Sequence, residues 1–172
     1  QVTMANILGW PSEDIALLKY FGDGTVKPFV YGSRHNNILQ QDEIDSQMAV
    51  LDEFKRYTND LIEQKRHEPA EDMISFLTEV EYSPLQRKLT NLEINGIVYA
   101  MVIGGLETTQ YALAEQVQLL IEQPGIWDAL KKDRSKVRAF VEEGMRLRSP
   151  TQGLSTRITS QDEVFQGVKV PK

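Results

Sequence analysis

Apolar residues recur at three- and four-residue spacing over most of this chain, a pattern that predicts a protein built largely of helices. Ile44, Met48, Leu51, Phe54, Thr58, Leu61 and Ile62 keep that spacing. An amphipathic helix is therefore expected from Asp45 to about Lys65, ending near Pro69. Upstream, "GWPSEDIALLKYFGDG" offers Pro11 and Ser12 at a helix start, Glu13 and Asp14 in the first turn, and Gly22 just past the end. The polar stretch "YGSRHNNILQQDE" between these two reads as an exposed loop. A short helix is expected over "AEDMISFLTEV", with Pro84 separating it from the next element. Asn91 to Gln123 then forms one continuous helical pattern closed by Pro124, about 50 Å long at ~1.5 Å per residue. That exceeds an ordinary surface helix and is expected to cross the middle of a domain. "PGIWDALKKD" and "SKVRAFVEEGMRLRSP" supply two more helices, the second stopped by Pro150. Only the tail changes period: Val164 and Phe165, a Gln166-Gly167 turn, then Val168 and Val170 predict a small β-hairpin near 163–171. The expected class is mainly α.

The long helix breaks its own pattern at "AMVIGGLETTQYALAEQ". Two glycines in a helix interior each cost about 1 kcal/mol relative to alanine. Glu107 has Ile103, Tyr111, Gly104, Gln110, Ala100 and Ala114 as its helical neighbours, so it belongs to no solvated charge stripe and is expected to face the interior or a cavity. A carboxylate unpaired in such a place costs several kcal/mol or is protonated. The glycines would let a ligand approach the backbone, or let the helix widen and free a carbonyl for the Thr108 hydroxyl. Plain packing explains the same residues as well. The glycines could permit a close helix crossing, Glu107 could meet a lysine on a neighbouring element, and Thr108 could bond back to the Gly104 carbonyl.

Charge and composition narrow the chemistry. The 172 residues carry a net charge of −6 and no basic stripe, which argues against a nucleic-acid partner. Cysteine is absent, so disulfides, thiol nucleophiles and cysteine metal sites are excluded for these residues. The longest apolar run, Ile97 to Leu106, is too short to span a bilayer, and "QVTMANILGW" lacks the form of a signal peptide. A cytoplasmic chain is expected. His35 and His67 have no companions at ligand spacing. Glu143 and Arg146 in "EEGMR" read by spacing as a surface ion pair, and Arg157 after "TQGLST" as a solvated arginine or a carboxylate's partner.

Taken in order, these segments resemble the cytochrome P450 family of haem-thiolate monooxygenases in its soluble bacterial branch. "GGLETT" resembles the family's oxygen-activation motif, "EEGMR" its Glu-x-x-Arg motif, "STRITSQDEVFQGVKVP" the segment that follows, and "ILGWPSED" the entry to its substrate-lid helix. The resemblance implies that the chain is an interior part of one larger domain, lacking the N-terminal sheet and helix region and the loop that carries the cysteine ligand. It implies a haem cofactor whose iron ligand lies outside this segment, so that the segment alone would be inactive and holds no metal ligand. Glu107 and Thr108 would be catalytic, relaying protons to the oxygen on the iron. Ala100, Gly104, Gly105, Thr108 and Thr109 would lie against the cofactor, and Arg157 would bind a haem propionate. Ala100, Met101, Gly104, Gly153, Leu154 and Ser155 would line the substrate pocket. Glu143 and Arg146 would be structural, and Ser12 to about Lys65 would form a mobile lid, with Trp10, Phe21, Phe29 and Tyr31 as apolar surface for the channel. The implied partners are a small organic substrate, O2 and a ferredoxin or flavodoxin type electron donor. A non-catalytic helical module or haem-free remnant that keeps the family scaffold is the alternative.

Overall fold

The computed structural model describes residues 1–31, 39–84, 86–151 and 159–172. Seven α-helices run in chain order: α1 (Val2–Leu8), α2 (Ile15–Tyr31), α3 (Gln41–His67), α4 (Met73–Glu79), α5 (Asn91–Glu122), α6 (Pro124–Lys132) and α7 (Val137–Leu147). A 3-10 turn over Ser12–Asp14 leads into α2. Two antiparallel hairpins complete the described residues, β1 (Glu81–Tyr82) with β2 (Arg87–Lys88), and β3 (Glu163–Phe165) with β4 (Val168–Val170).

The mainly α class, the long helix and the terminal hairpin agree with the sequence pattern. In that hairpin Phe165 pairs with Val168, and Gln166 and Gly167 take φ of 49° and 82°, the two positive values that match strand twist in a two-residue turn. The β1–β2 hairpin was not foreseen, because strands of two residues carry no periodicity.

α5 organises the rest. Thr90 accepts from the Glu93 backbone while the Glu93 carboxylate accepts from the Thr90 backbone at 2.8 Å, a reciprocal cap that fixes where the helix starts. Arg87 on β2 grips the same carboxylate at 2.8 and 2.9 Å and, with the Thr90 donors, holds Glu93 far below the usual carboxylate range. From there Ile94, Val98, Val102 and Leu106 form one buried stripe, onto which α1 to α4 deliver Leu8, Leu18, Phe21, Phe54, Ile62 and Ile74, all fully buried. The second half of α5 is different. Leu113, Val117 and Ile121 are exposed there, which explains why the helix reads as apolar nearly all round.

Two expectations for α2 are corrected. Gly22 does not end the helix; it lies inside α2, where a Cβ would stand 2.9 Å from Leu106 of α5. Gly24 meets α3 in the same way, 2.5 Å from Val50 Cγ1 and 3.2 Å from its Cβ. These glycines set close helix crossings, which local signals cannot distinguish from a stop. Gly24→Ala is expected to lower stability by about 1–2 kcal/mol in chemical denaturation, because overpacking against a stiff valine outweighs the helix-propensity gain. Trp10 and Phe21, expected on a channel surface, are core residues. Trp10 stacks on Tyr57 at 4.6 Å and meets Phe21 edge-on at 6.2 Å. Tyr57 donates to the Asp14 carboxylate at 2.5 Å, tying the start of α2 to α3. The side chains of Phe29 and Tyr31, and most of the expected loop at 31–43, lie outside the described residues.

A polar latch joins the ends of α1, α3 and α4. Asp72 accepts from the Ser75 backbone at 2.8 Å, capping α4, and from Lys65 of α3 at 2.6 Å. Gly9, at φ 77°, ends α1 against this carboxylate, whose Cγ lies 2.2 Å from where a Cβ would stand. Any side chain there would be strained in backbone and displace the cap.

Candidate active site

At the centre of α5 the two adjacent glycines do different work. Gly105 faces α1, and a Cβ on it would lie 2.0 Å from the tip of Met4, so its role in the structure is a close helix contact. Gly104 is exposed, with no atom within 4 Å of where a Cβ would be. Gly96, Ala100 and Gly104 follow one another at four-residue steps and are all exposed, so this side of α5 presents backbone with almost no side-chain cover. Met101 is half-buried and Thr109 is exposed.

Thr108 is half-buried, and its hydroxyl donates to the Gly104 carbonyl at 2.6 Å. With its proton committed to the backbone, the oxygen retains lone pairs that can accept a further hydrogen bond. Glu107 is half-buried as well, neither a fully solvated surface charge nor an interior one. It lies within electrostatic reach of Lys19 on α2. The Lys19 ammonium is held above its ordinary value, first by its hydrogen bond to Asp23 and then, against partial desolvation, by the Asp23 and Glu107 charges. The carboxylate thus has a basic neighbour on the next helix, and its side chain keeps access to solvent.

Glu143 and Arg146 form a two-point ion pair on α7, at 2.7 and 2.6 Å, with both side chains more than half exposed. Among the described residues it ties α7 to nothing else. A neighbouring contact was missed in the sequence: Arg148 bridges back to α5, to Glu115 at 3.4 Å and Glu122 at 2.5 Å. Gly144 lets α7 approach α5 so closely that a Cβ would stand 2.2 Å from the Gln116 amide. No local signal marks either contact, since both depend on how the two helices cross. Gly153, Leu154, Ser155 and Arg157, expected at the pocket wall and the cofactor, lie outside the described residues. The described residues hold no group of three or more histidines and carboxylates able to bind a metal ion.

The open backbone at Gly104 fits close approach of a flat prosthetic group, and the acid and alcohol beside it fit proton handling at that group. The donor set does not supply a thiolate, since the chain has no cysteine. These features define a helical scaffold built round one long helix with an open centre flanked by polar groups. A family sequence profile, that of cytochrome P450, matches residues 38–172. The chain is 30% identical over 140 residues to the vitamin D(3) 25-hydroxylase of Pseudonocardia autotrophica, covering 81% of this chain and 34% of that protein. It is 29% identical over 167 residues to the biotin biosynthesis cytochrome P450 of Bacillus subtilis, covering 97% of this chain and 40% of that one. A Bacillus megaterium cytochrome P450 solved in complex with corticosterone superposes with a TM-score of 0.75 at 29% identity, over 98% of this chain and 43% of that one. The chain belongs to the cytochrome P450 family, and it spans between about a third and two fifths of the curated relatives it matches. Among the described residues no helix is long and apolar enough to cross a membrane.

Proposed function

We propose that this chain is the interior part of a haem-dependent monooxygenase, one larger domain that inserts one oxygen atom from O2 into a small organic substrate. Electrons would come from a ferredoxin or flavodoxin type donor. The exposed apolar residues of α5 and the fraction of each relative that the chain covers support its place inside a larger domain. The observation that carries the reading is the conjunction, on a chain of this family, of an uncovered Gly104, a back-bonded Thr108 and a half-buried Glu107.

Haem, when bound, supplies oxygen activation and the oxidation itself. The chain's own residues supply access, order and protons. Ala100, Gly104 and Thr109 would lie against the cofactor, whereas Gly105 is turned toward Met4 of α1 and would not; Met101 with Ala100 and Gly104 would border the substrate, and Arg157 would pair with a propionate through its planar fork. The Thr108 oxygen, its proton engaged by the Gly104 carbonyl, keeps acceptor capacity and would hold one water in place. Glu107 rotates between solvent and that water and carries protons one at a time.

Glu107→Gln in the full-length protein is expected to lower kcat by at least about tenfold, toward the ~10²-fold that a positioned proton-transfer group contributes. The solvent isotope effect on kcat should rise while substrate Kd stays the same. The cofactor assignment is tested by the reduced, CO-bound absorption spectrum of the full-length protein. A Soret band at the thiolate position is expected, and no haem absorbance would favour the non-catalytic scaffold.

A further inference from the structure

Between α3 and the first turns of α5 is a cavity of about 330 Å³, at the lower end of the range for small-molecule sites. Its walls are aliphatic and aromatic, Leu51 and Phe54 from α3 and Leu92 and Tyr99 from α5. At ~3.6 residues per turn, Leu92, Asn95 and Tyr99 stand on the far side of α5 from Gly104. A molecule held there does not lie against the open backbone of the candidate active site.

The polar groups around the cavity decide what it can take, and most are already engaged. Asn91 accepts from Arg66 at 2.9 Å and donates to Glu63 at 2.7 Å. The Tyr99 hydroxyl donates to the Thr25 carbonyl at 3.3 Å. Asn95 donates to Asn59 Oδ1 at 2.7 Å, and its own Oδ1, with less than 1 Å² accessible, is beyond a ligand's reach. Two groups are left to a ligand. Lys55 is exposed, and its acid partner Asp52 stands 3.6 Å away, too far for a good hydrogen bond. Asn59, one turn further along α3, has its oxygen occupied by Asn95, so what it offers outward is its NH2, which donates to none of the described residues. Both groups are donors and one is charged. Among the described residues no carboxylate lines the cavity.

We propose that this cavity is a second ligand site, apart from the candidate active site, and that it takes an apolar monocarboxylate. The hydrocarbon chain lies between α3 and α5, and the carboxylate accepts from Lys55 Nζ and Asn59 Nδ2. An anion with an apolar body is the complement of apolar walls with donors alone at their edge. A neutral alcohol of the same chain fills the walls but brings no charge to Lys55. A ligand that bridges two helices on the side of α5 away from Gly104 acts as an effector that stabilises the folded state by mass action. The site does not depend on the monooxygenase reading, and the two stand or fall separately.

The test uses the full-length protein without reductant, so that binding is read independently of turnover. The probes are decanoate and decanol, with Kd measured by equilibrium dialysis. Decanoate is expected to bind about fivefold more tightly than decanol, as a charge-assisted pair at a half-exposed lysine allows, and the difference should shrink at high salt. Lys55→Met should abolish the preference and leave decanol affinity within about twofold, while Lys55→Arg keeps the preference. Asn59→Asp retains the oxygen that Asn95 donates to and replaces the outward donor with an acceptor, so it should fold and bind decanoate at least fivefold more weakly. Gly96→Leu puts a side chain into the cavity wall where it meets no atom within 4 Å, and should weaken decanoate in the same way. Equal affinity of the two probes for the wild type overturns the proposal. So does a preference that survives Lys55→Met, which would put the anion elsewhere on the protein.

Discussion

Thr108→Ala in the full-length protein is expected to divert most electrons from product to peroxide, with product formed per electron falling about tenfold while the rate of reductant consumption stays within about twofold. The asymmetry follows from what the hydroxyl does. It donates to the Gly104 carbonyl at 2.6 Å, so what alanine removes is an acceptor and the water it orders, not a proton source. On the proposed mechanism, proton supply through Glu107 would continue, and the protons would arrive without the ordering that directs them. The same substitution frees the Gly104 carbonyl of its extra bond, which straightens the helix slightly if it changes anything, so a loss of fold is not expected. Thr108→Ser, which keeps the oxygen, should recover most of the coupling. Peroxide yield and product yield measured on the same reductant supply check this, and unchanged coupling in the alanine variant would remove Thr108 from the mechanism.

The largest effect on stability is expected away from the site, at the latch between α1, α3 and α4. The Asp72 and Lys65 side chains are only 5% and 14% exposed, so Asp72→Ala leaves an ammonium buried without its partner and strips the cap from α4. The expected loss is about 3–5 kcal/mol, read as a shift in denaturant midpoint of the full-length protein. The pair also makes stability depend on pH. Burial alone would raise the Asp72 pKa, but hydrogen bonds from Lys65 and from Ser75 outweigh it and hold the carboxyl below its ordinary 3.8. A carboxyl depressed on folding contributes stability that is complete above its ordinary value and is lost as pH falls through the folded one. Wild-type protein should therefore lose stability on acidification below about pH 4, and Asp72→Asn, which cannot ionise, should show a shallower acid limb from a lower starting stability.

Most of the helices were legible because burial imposes a period. Val98, Val102 and Leu106 are buried on the spacing that predicted α5, and Phe54, Leu61 and Ile62 on the spacing that predicted α3. What the sequence hid depends on contacts between elements. Gly22 has the form of a helix stop, yet it is a crossing point against Leu106. Gly104 and Gly105 are identical as letters, and only the position of Met4 shows that one is packed and the other open. Trp10 and Phe21 could not be sorted between channel and core until Tyr57 and Phe54 were brought beside them. At the site, the Thr108 back-bond and a lysine near Glu107 both stood among the packing alternatives of the sequence reading. The structure brings both about, and neither conflicts with a role in proton handling. Asn95 gave no warning at all. An asparagine on a helix reads as a mild misfit, and only the structure shows that Asn59 and Asn91 orient its amide and leave one buried oxygen without a donor among the described residues.

The central claim is that this chain belongs to an enzyme that splits O2 between substrate and water. Isotopically labelled O2 supplied to the full-length protein, with reductant, electron donor and a small organic substrate that it oxidises, tests it most directly by mass spectrometry of the product. The account predicts one labelled oxygen atom in each product molecule; product that carries no label, or takes its new oxygen from water, would contradict it.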